Sequence, residues 1–304
     1  MRIITARFGP RTKSRMNRRK NLRPIAHFTI PTWIFLAATV LVPFVYGIYI
    51  SFLNINLASF LPPIFVGFEN YQNVLNAPET WSTFRITLAI TFIGLLVQLP
   101  LGVILAVALH ENLKGTKLFR SILITPMLLT PVAVGLTYRF MFDTDLGVIN
   151  WTLSLLGVDK VNWLGSQTSA LLALIVVDSW QSIPFVMLLV LAALTAISPS
   201  LYEAARVDGA GAGQIFRNLT FPLITPTLLV ITMIKIMDFL KLFDTLFILT
   251  RGGPGNSTTT LGLWTYKTGF VFLELSRAAA LGVLVALITL PVYFLWRKAS
   301  KGVR

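Results

Sequence analysis

Residues 203–226 read EAARVDGAGAGQIFRNLTFPLITP, a small-residue, helix-compatible stretch set between two long apolar runs. Just upstream, Ser198-Pro199 makes a helix start, a hydroxyl N-cap followed by proline at the first helical position. Leu201 to Asp208 then runs without glycine or proline, and Glu203 and Arg206 can pair at i,i+3. Gly209 stands where a left-handed C-cap would sit. After Gly211 and Gly213, Gln214 to Thr220 form a second short helix, ended by Phe221-Pro222. The expected local structure is helix, glycine elbow, helix. Ala204 and Ala205 leave little side-chain bulk, so the groove of another protein can approach the backbone. An ordinary amphipathic helix-turn at a membrane surface is the plainer alternative. A phosphate-binding loop is excluded, because Gly209, Gly211 and Gly213 lack the G-x-x-x-x-G-K-[ST] spacing and follow no strand.

Composition says what surrounds this stretch. The chain is 55% hydrophobic and 12% charged, with mean hydropathy +0.74. Soluble domains carry about 25% charged residues, so this is a membrane composition. The net charge of +14 would suggest nucleic acid in a soluble chain. Here the basic residues flank apolar segments, which makes them orientation signals, and no nucleic-acid partner is expected. With no cysteine there is no disulfide, thiolate metal site or cysteine nucleophile. His27 and His110 lie far apart in sequence without ligand partners, so no metal site and no catalytic constellation is expected.

A membrane-crossing helix needs about 20 mostly apolar residues. Six segments qualify, at roughly 28–53, 84–109, 118–142, 169–197, 222–249 and 276–297. Prolines 43, 100, 126, 131, 184, 226 and 291 fall inside them, and membrane helices tolerate these with kinks. The tail over residues 1–27 carries Arg2, Arg7, Arg11, Lys13, Arg15, Arg18, Arg19, Lys20 and Arg23 and no acid. Lys114, Lys117 and Arg120 mark the same side, as do Arg297, Lys298, Lys301 and Arg304. Glu69 and Glu79 in the base-free 54–83 loop, and Asp143, Asp145 and Asp159 against one Lys160 in the 143–168 loop, mark the other side. Only 250–275, with Arg251 and Lys267, runs against the count. The positive-inside rule therefore puts both ends and the 198–221 loop in the cytoplasm. The first segment is too long for a signal peptide and has no A-x-A-like site after it, so an uncleaved helix is expected.

Glu203-Ala204-Ala205, then Asp208-Gly209-Ala210, Ile215-Phe216 and Phe221-Pro222-Leu223 resemble the cytoplasmic "EAA" loop of binding-protein-dependent ABC importer permeases. Phe221 stands where that family has leucine before proline. The stretches Trp180-Gln181-Ser182-Ile183-Pro184-Phe185, Phe243-Asp244 and Leu249-Thr250-Arg251-Gly252-Gly253-Pro254 resemble the carbohydrate class of maltose- and glycerol-3-phosphate-type permeases, in its first-subunit branch. The resemblance runs from about residue 28 to 298. It implies an all-α membrane protein with the importer-permease fold, a six-helix domain over 28–298 and short tails at 1–27 and 299–304. It also implies a bacterial or archaeal cytoplasmic (inner) membrane, a paralogous permease subunit, an ABC ATPase dimer, an extracytoplasmic solute-binding protein and a sugar substrate. ATP and Mg would sit on the ATPase, and this chain would bind no cofactor. Glu203, Ala204, Ala205, Asp208, Gly209, Ala210, Phe216 and Pro222 are the positions that would seat in the ATPase.

Charges inside a span are costly and face a cavity or a partner. Lys235, Asp238, Lys241 and Asp244 alternate in sign every three residues, so each can be neutralised by the next. Phe239, Phe243 and Phe247 recur beside them. Two readings stand: pairing against a partner subunit with the phenylalanines as packing, or a polar and aromatic lining for a sugar path. Gln98, Asp178, Trp180 and Gln181 fall near mid-depth of their segments, and their meeting with Asp238 would make a polyol site. A different class, a secondary transporter driven by an ion gradient through this ladder, is the alternative function. It leaves the 203–222 stretch without a purpose, and no inverted repeat is evident.

Overall fold

The computed structural model describes residues 22–59, 62–110 and 115–301. Most of the basic N-terminal tail (1–21), Lys114 and residues 302–304 lie outside the described residues. Chain contacts separate two units, divided after Tyr49. In the first, α1 (Leu22–Leu36) and a π-helical turn, Ala37–Leu41, lead into α2 (Val42–Ser51). Helix thus begins ahead of the expected start at 28. The Thr39 hydroxyl donates back to the Phe35 carbonyl at 2.8 Å, so this polar group is satisfied within the helix.

The second unit is helical apart from a two-stranded ribbon, β1 (Leu53–Asn54) antiparallel to β2 (Ile64–Phe65). The helices are α3 (Glu69–Asn76), α4 (Pro78–His110), α5 (Thr116–Leu128), α6 (Pro131–Met141), α7 (Val148–Leu155), α8 (Gln167–Thr195), α9 (Pro199–Val207), α10 (Ala212–Ile215), α11 (Phe221–Leu240), α12 (Asp244–Leu249), α13 (Leu261–Tyr266) and α14 (Leu275–Lys301). Among the described residues four helices are long and apolar enough to cross a membrane, or five if α5 and α6 count as one span. The apolar part of α14, Leu275–Pro291, is shorter.

Three sequence expectations are corrected here. The segment 118–142 is no single helix: α5 and α6 meet at 96°. Thr130 precedes Pro131, which drives it to extended backbone at φ −68°, ψ 138°. The segment 222–249 is also broken, with Lys241–Phe243 non-helical between α11 and α12. Conversely, Phe221-Pro222 ends nothing. A π turn, Phe216–Thr220, joins α10 to α11, and helix continues from Ala212 to Leu240. The wider turn relieves the clash that a proline ring makes with the carbonyl four residues back.

Packing centres on α4 against α8. Gly102 allows it, since a Cβ there would sit 2.6 Å from Val186 Cβ and 3.2 Å from the Met187 nitrogen. Small residues let membrane helices approach this closely. Val186, Met187, Val190, Leu194, Ile224 and Ile231 fill the core at that level. A second core joins Ile90, Leu174, Val177, Leu246 and Leu263. Down α4 the threonines bond to their own helix, Thr83 to Thr80, Thr87 to Thr83 and Thr91 to Thr87. Thr87 Oγ1 also accepts from the Leu261 amide at 3.0 Å, fixing the start of α13.

Candidate functional site

Four residues of one α8 face, Asp178, Gln181, Ser182 and Phe185, recur at helical spacing and look into a cavity of about 470 Å³. Lys235, Asp238 and Phe239 face them from the last turns of α11. The broken segment then brings Lys241, Phe243 and Asp244 to the same space. Gln98, fully buried on α4, donates its amide to Asp178 Oδ2 at 2.7 Å. That bond ties α4 to α8 behind the cavity wall. Gln181 donates to the Leu129 carbonyl at 2.8 Å, satisfying the backbone where α5 turns into α6.

The ladder is partly as expected. Lys235 Nζ donates to Ser182 Oγ at 2.9 Å, lies 3.9 Å from Asp238 and stands 5.0 Å from the Phe239 ring. Asp238 is also 3.2 Å from Lys241. One carboxylate therefore serves two ammonium groups of different character. Lys235 is only 4% exposed, so removing one of these partners would leave a buried ammonium poorly compensated. Lys241 is well exposed, and such a pair contributes about 0–1 kcal/mol. The last step fails: among the described ion pairs none includes Asp244, which instead opens α12. An acid suits a helix N-terminus.

The phenylalanine row is also split. Phe239 is buried against α4 at Gly94, where any Cβ would overlap its ring. Phe243 and Phe247 stack on each other at 5.2 Å and 16°, and both pack on Tyr266. Trp180 does not join the site. It points from another face of α8 and meets Tyr138 edge-on at 5.4 Å. Sequence reasoning missed Ser182 and Phe185, although the 3–4 residue spacing from Asp178 and Gln181 contained the signal. It missed Met127, Pro131 and Thr245, which arrive through tertiary structure.

At the far end of the Ala212–Leu240 helix lies the glycine elbow. Asp208 caps α9. The Gly209 amide bonds to the Arg206 carbonyl and the Ala210 amide to the Ala205 carbonyl, each at 3.0 Å. With Gly209 at φ +79°, this is a Schellman stop. The Gly211 amide then donates to the Gln214 side chain at 3.0 Å, starting α10. Glu203, Ala204, Arg206, Val207 and Asp208 are exposed, and among the described residues Glu203 and Arg206 form no ion pair. Phe216 lies on the π turn and Pro222 in the first turn of α11. A cavity of about 620 Å³ opens beside the elbow, lined by Tyr202, Glu203, Arg206, Phe216 and His110 among others.

A family model described as the binding-protein-dependent transport system inner membrane component matches residues 98–304. The chain is 37% identical over 301 residues to the probable ABC transporter permease protein y4oQ of Sinorhizobium fredii, with 96% of each covered. It is 35% identical over 237 residues to the trehalose/maltose transport system permease protein MalF of Thermococcus litoralis, which covers 78% of this chain and 80% of that one. A chain in the crystal structure of a bacterial ABC transporter involved in the import of the acidic polysaccharide alginate aligns with TM-score 0.82 at 25% identity, covering 93% of this chain and 96% of that one. With more than half its length matched and its helices in the same arrangement, the chain belongs to the family of binding-protein-dependent transport system inner membrane components.

Proposed function

We propose that this chain is the transmembrane permease subunit of an ATP-driven sugar importer, forming half of the translocation path. The relatives' names support a sugar as cargo. The observation that carries the reading is one helix with two working ends. Ala212–Leu240 begins at the exposed elbow and ends in the cavity wall at Lys235, Asp238 and Phe239. In this scheme Glu203, Ala204, Ala205, Asp208, Gly209, Ala210, Phe216 and Pro222 form the seat for a separate ATPase dimer, which holds the ATP and Mg. A paralogous permease supplies the other half of the path, and a solute-binding protein delivers the sugar outside. Both chain ends and the elbow face the cytoplasm, in keeping with the Lys/Arg distribution. In the cavity, Asp178, Gln181, Ser182, Asp238 and Asp244 take sugar hydroxyls while Phe185 and Phe243 cover C–H faces. Closing of the ATPase dimer moves the elbow and turns the cavity from one side of the membrane to the other.

Sealed vesicles test this. Uptake by the assembled complex is expected to need ATP and the binding protein and to persist when ion gradients are collapsed. Uptake by this chain alone, driven by a gradient, would replace the importer with a secondary transporter.

A further inference from the structure

At the end of α8 away from the elbow, the connection from α6 carries a row of large apolar side chains in the open. Leu146, Val148, Trp151, Leu155, Leu156 and Val158 are between 46% and 91% exposed. Val148, Trp151 and Leu155 stand at i, i+3 and i+7 of α7, so they share one of its faces. The opposite face is anchored. Ile149 packs on the core that holds Phe142, and Asn150 is buried. An exposed apolar row of this size marks a surface that meets something.

Asn150 fixes where α7 lies. Its amide donates to the Val161 carbonyl at 2.9 Å and the Thr144 carbonyl at 3.0 Å, and its side-chain oxygen accepts from Trp163 Nε1 at 2.9 Å. Between those partners, the Asn162 carbonyl accepts from the Ser169 hydroxyl at 3.1 Å, in the first turn of α8. Helix α7 is thus stapled to the start of α8. The 29 residues of α8 run about 43 Å, against a hydrocarbon core of about 30 Å, so its first turn stands at the headgroup layer. The staple holds α7 at the same level.

The chemistry of the row favours lipid over protein. Thr152 Oγ1 donates to the Val148 carbonyl at 2.8 Å and Ser154 Oγ to the Trp151 carbonyl at 2.7 Å. Both hydroxyls are turned back onto their own helix, as an apolar medium demands. A protein interface carries about one hydrogen bond per 100–200 Å². The exposed row offers a single side-chain donor, the Trp151 indole N–H, which bonds to no described residue. An indole with its body among acyl chains and its N–H at the headgroups suits that position. The charges of the loop are also occupied locally. Asp143 Oδ1 accepts from the amides of Asp145 and Leu146, and Asp145 pairs with Lys160 at 3.0 Å. Three acids against one lysine give no attraction for anionic headgroups, so apolar area is what would hold the row in place.

We propose that α7 is a membrane foot, its Val148, Trp151 and Leu155 face sunk about 5–10 Å into the headgroup and acyl boundary of the leaflet away from the elbow. Through Asn150 the foot sets the depth of α8, whose Asp178 and Gln181 face lines the central cavity. The proposal rests on the chain crossing a membrane and is independent of its cargo.

The chain has no cysteine, so Leu155→Cys places one thiol on it for an environment-sensitive NBD dye. The complete transporter is labelled in phosphatidylcholine nanodiscs without the binding protein, and the parent complex taken through the same labelling gives the background. The dye at 155 is expected to emit blue-shifted and to be quenched several-fold more by spin-labelled acyl chains than by aqueous acrylamide. A dye at Asp159→Cys, past the row, should show the reverse order. Raising the salt should change neither, since the attachment is apolar. Adding Trp151→Ser should move the dye at 155 toward water. Equal access of acrylamide to both positions overturns the foot. So does a dye at 155 shielded from acrylamide yet beyond reach of the lipid quencher, which means that the partner permease covers the row. Shielding that appears only when the binding protein is added, or emission that Trp151→Ser leaves unchanged, overturns it as well. ATP-driven uptake, measured separately, reports on the importer reading alone.

Discussion

The ring of Phe239 lies directly on the backbone of α4 at Gly94, with no room between them for even one methyl group. This contact joins the end of α11 to α4 and holds one wall of the central cavity. Gly94→Ala should push the ring out at a cost of about 1–3 kcal/mol. We expect a lower melting temperature of the purified complex and slower uptake, both partly restored by adding Phe239→Leu. A single variant Gly94→Ala with normal melting and transport would mean the contact is dispensable.

Gln98→Leu leaves Asp178 without its interhelical donor in a buried setting. Loss of one partner of a buried polar pair costs about 1–3 kcal/mol, whereas replacing both is nearly neutral. The double variant Gln98→Leu/Asp178→Leu should therefore melt closer to the parent than Gln98→Leu does. If uptake recovers along with stability, Asp178 serves packing and not the sugar.

Asp238→Asn strands Lys235, whose remaining partners are Ser182 Oγ and the Phe239 ring. Transport kinetics should change by about tenfold in KM or kcat, the size of one lost charge-assisted bond. Lys241→Gln removes only an exposed pair and should change little. Equal effects from both variants would contradict the contrast in burial between the two lysines.

At the elbow, Gly209 sits at φ +79° in open space, so a side chain there meets strain and no clash. Gly209→Ala should cost about 1 kcal/mol and weaken transport. Gly209→Asp or Glu203→Lys should abolish transport while insertion into the membrane stays intact. Fractionation together with ATPase stimulation by the binding protein checks this, and normal stimulation in either variant would sink the coupling role.

What the sequence made legible was mostly local. The α9 start at Ser198-Pro199 and its stop at Gly209 fall where the local pattern puts them, although the Ser198 hydroxyl pairs with Ser200 Oγ at 2.8 Å and caps no helix amide. Helices α4 and α8 were visible as long apolar runs. The errors arise where distant groups decide. Between Lys241 and Phe243 no proline or glycine announces a break. There the Thr260 hydroxyl, from another segment, donates to the Leu242 carbonyl at 2.8 Å and takes up a freed backbone group. Pro131 and Pro222 are both prolines within apolar runs, yet one bends the chain sharply and the other does not. A π turn precedes Pro222, while Thr130 ahead of Pro131 is extended, and a residue pattern displays neither. The facing of Trp180 away from Gln181 follows from helical geometry, since neighbours on a helix point about 100° apart.

The helix Ala212–Leu240 is 29 residues long, about 43 Å at the usual rise. Its backbone ladder has no loop anywhere between the elbow and Lys235, so the two ends belong to a single mechanical member. A tilt imposed at one end is carried toward the other by continuous helix, and the π turn at Phe216–Thr220 and Pro226 are the two places where it can bend on the way. The path wall and the elbow then share one element, and on the proposed importer reading its bending stiffness sets how much of a stroke applied at the elbow reaches the cavity.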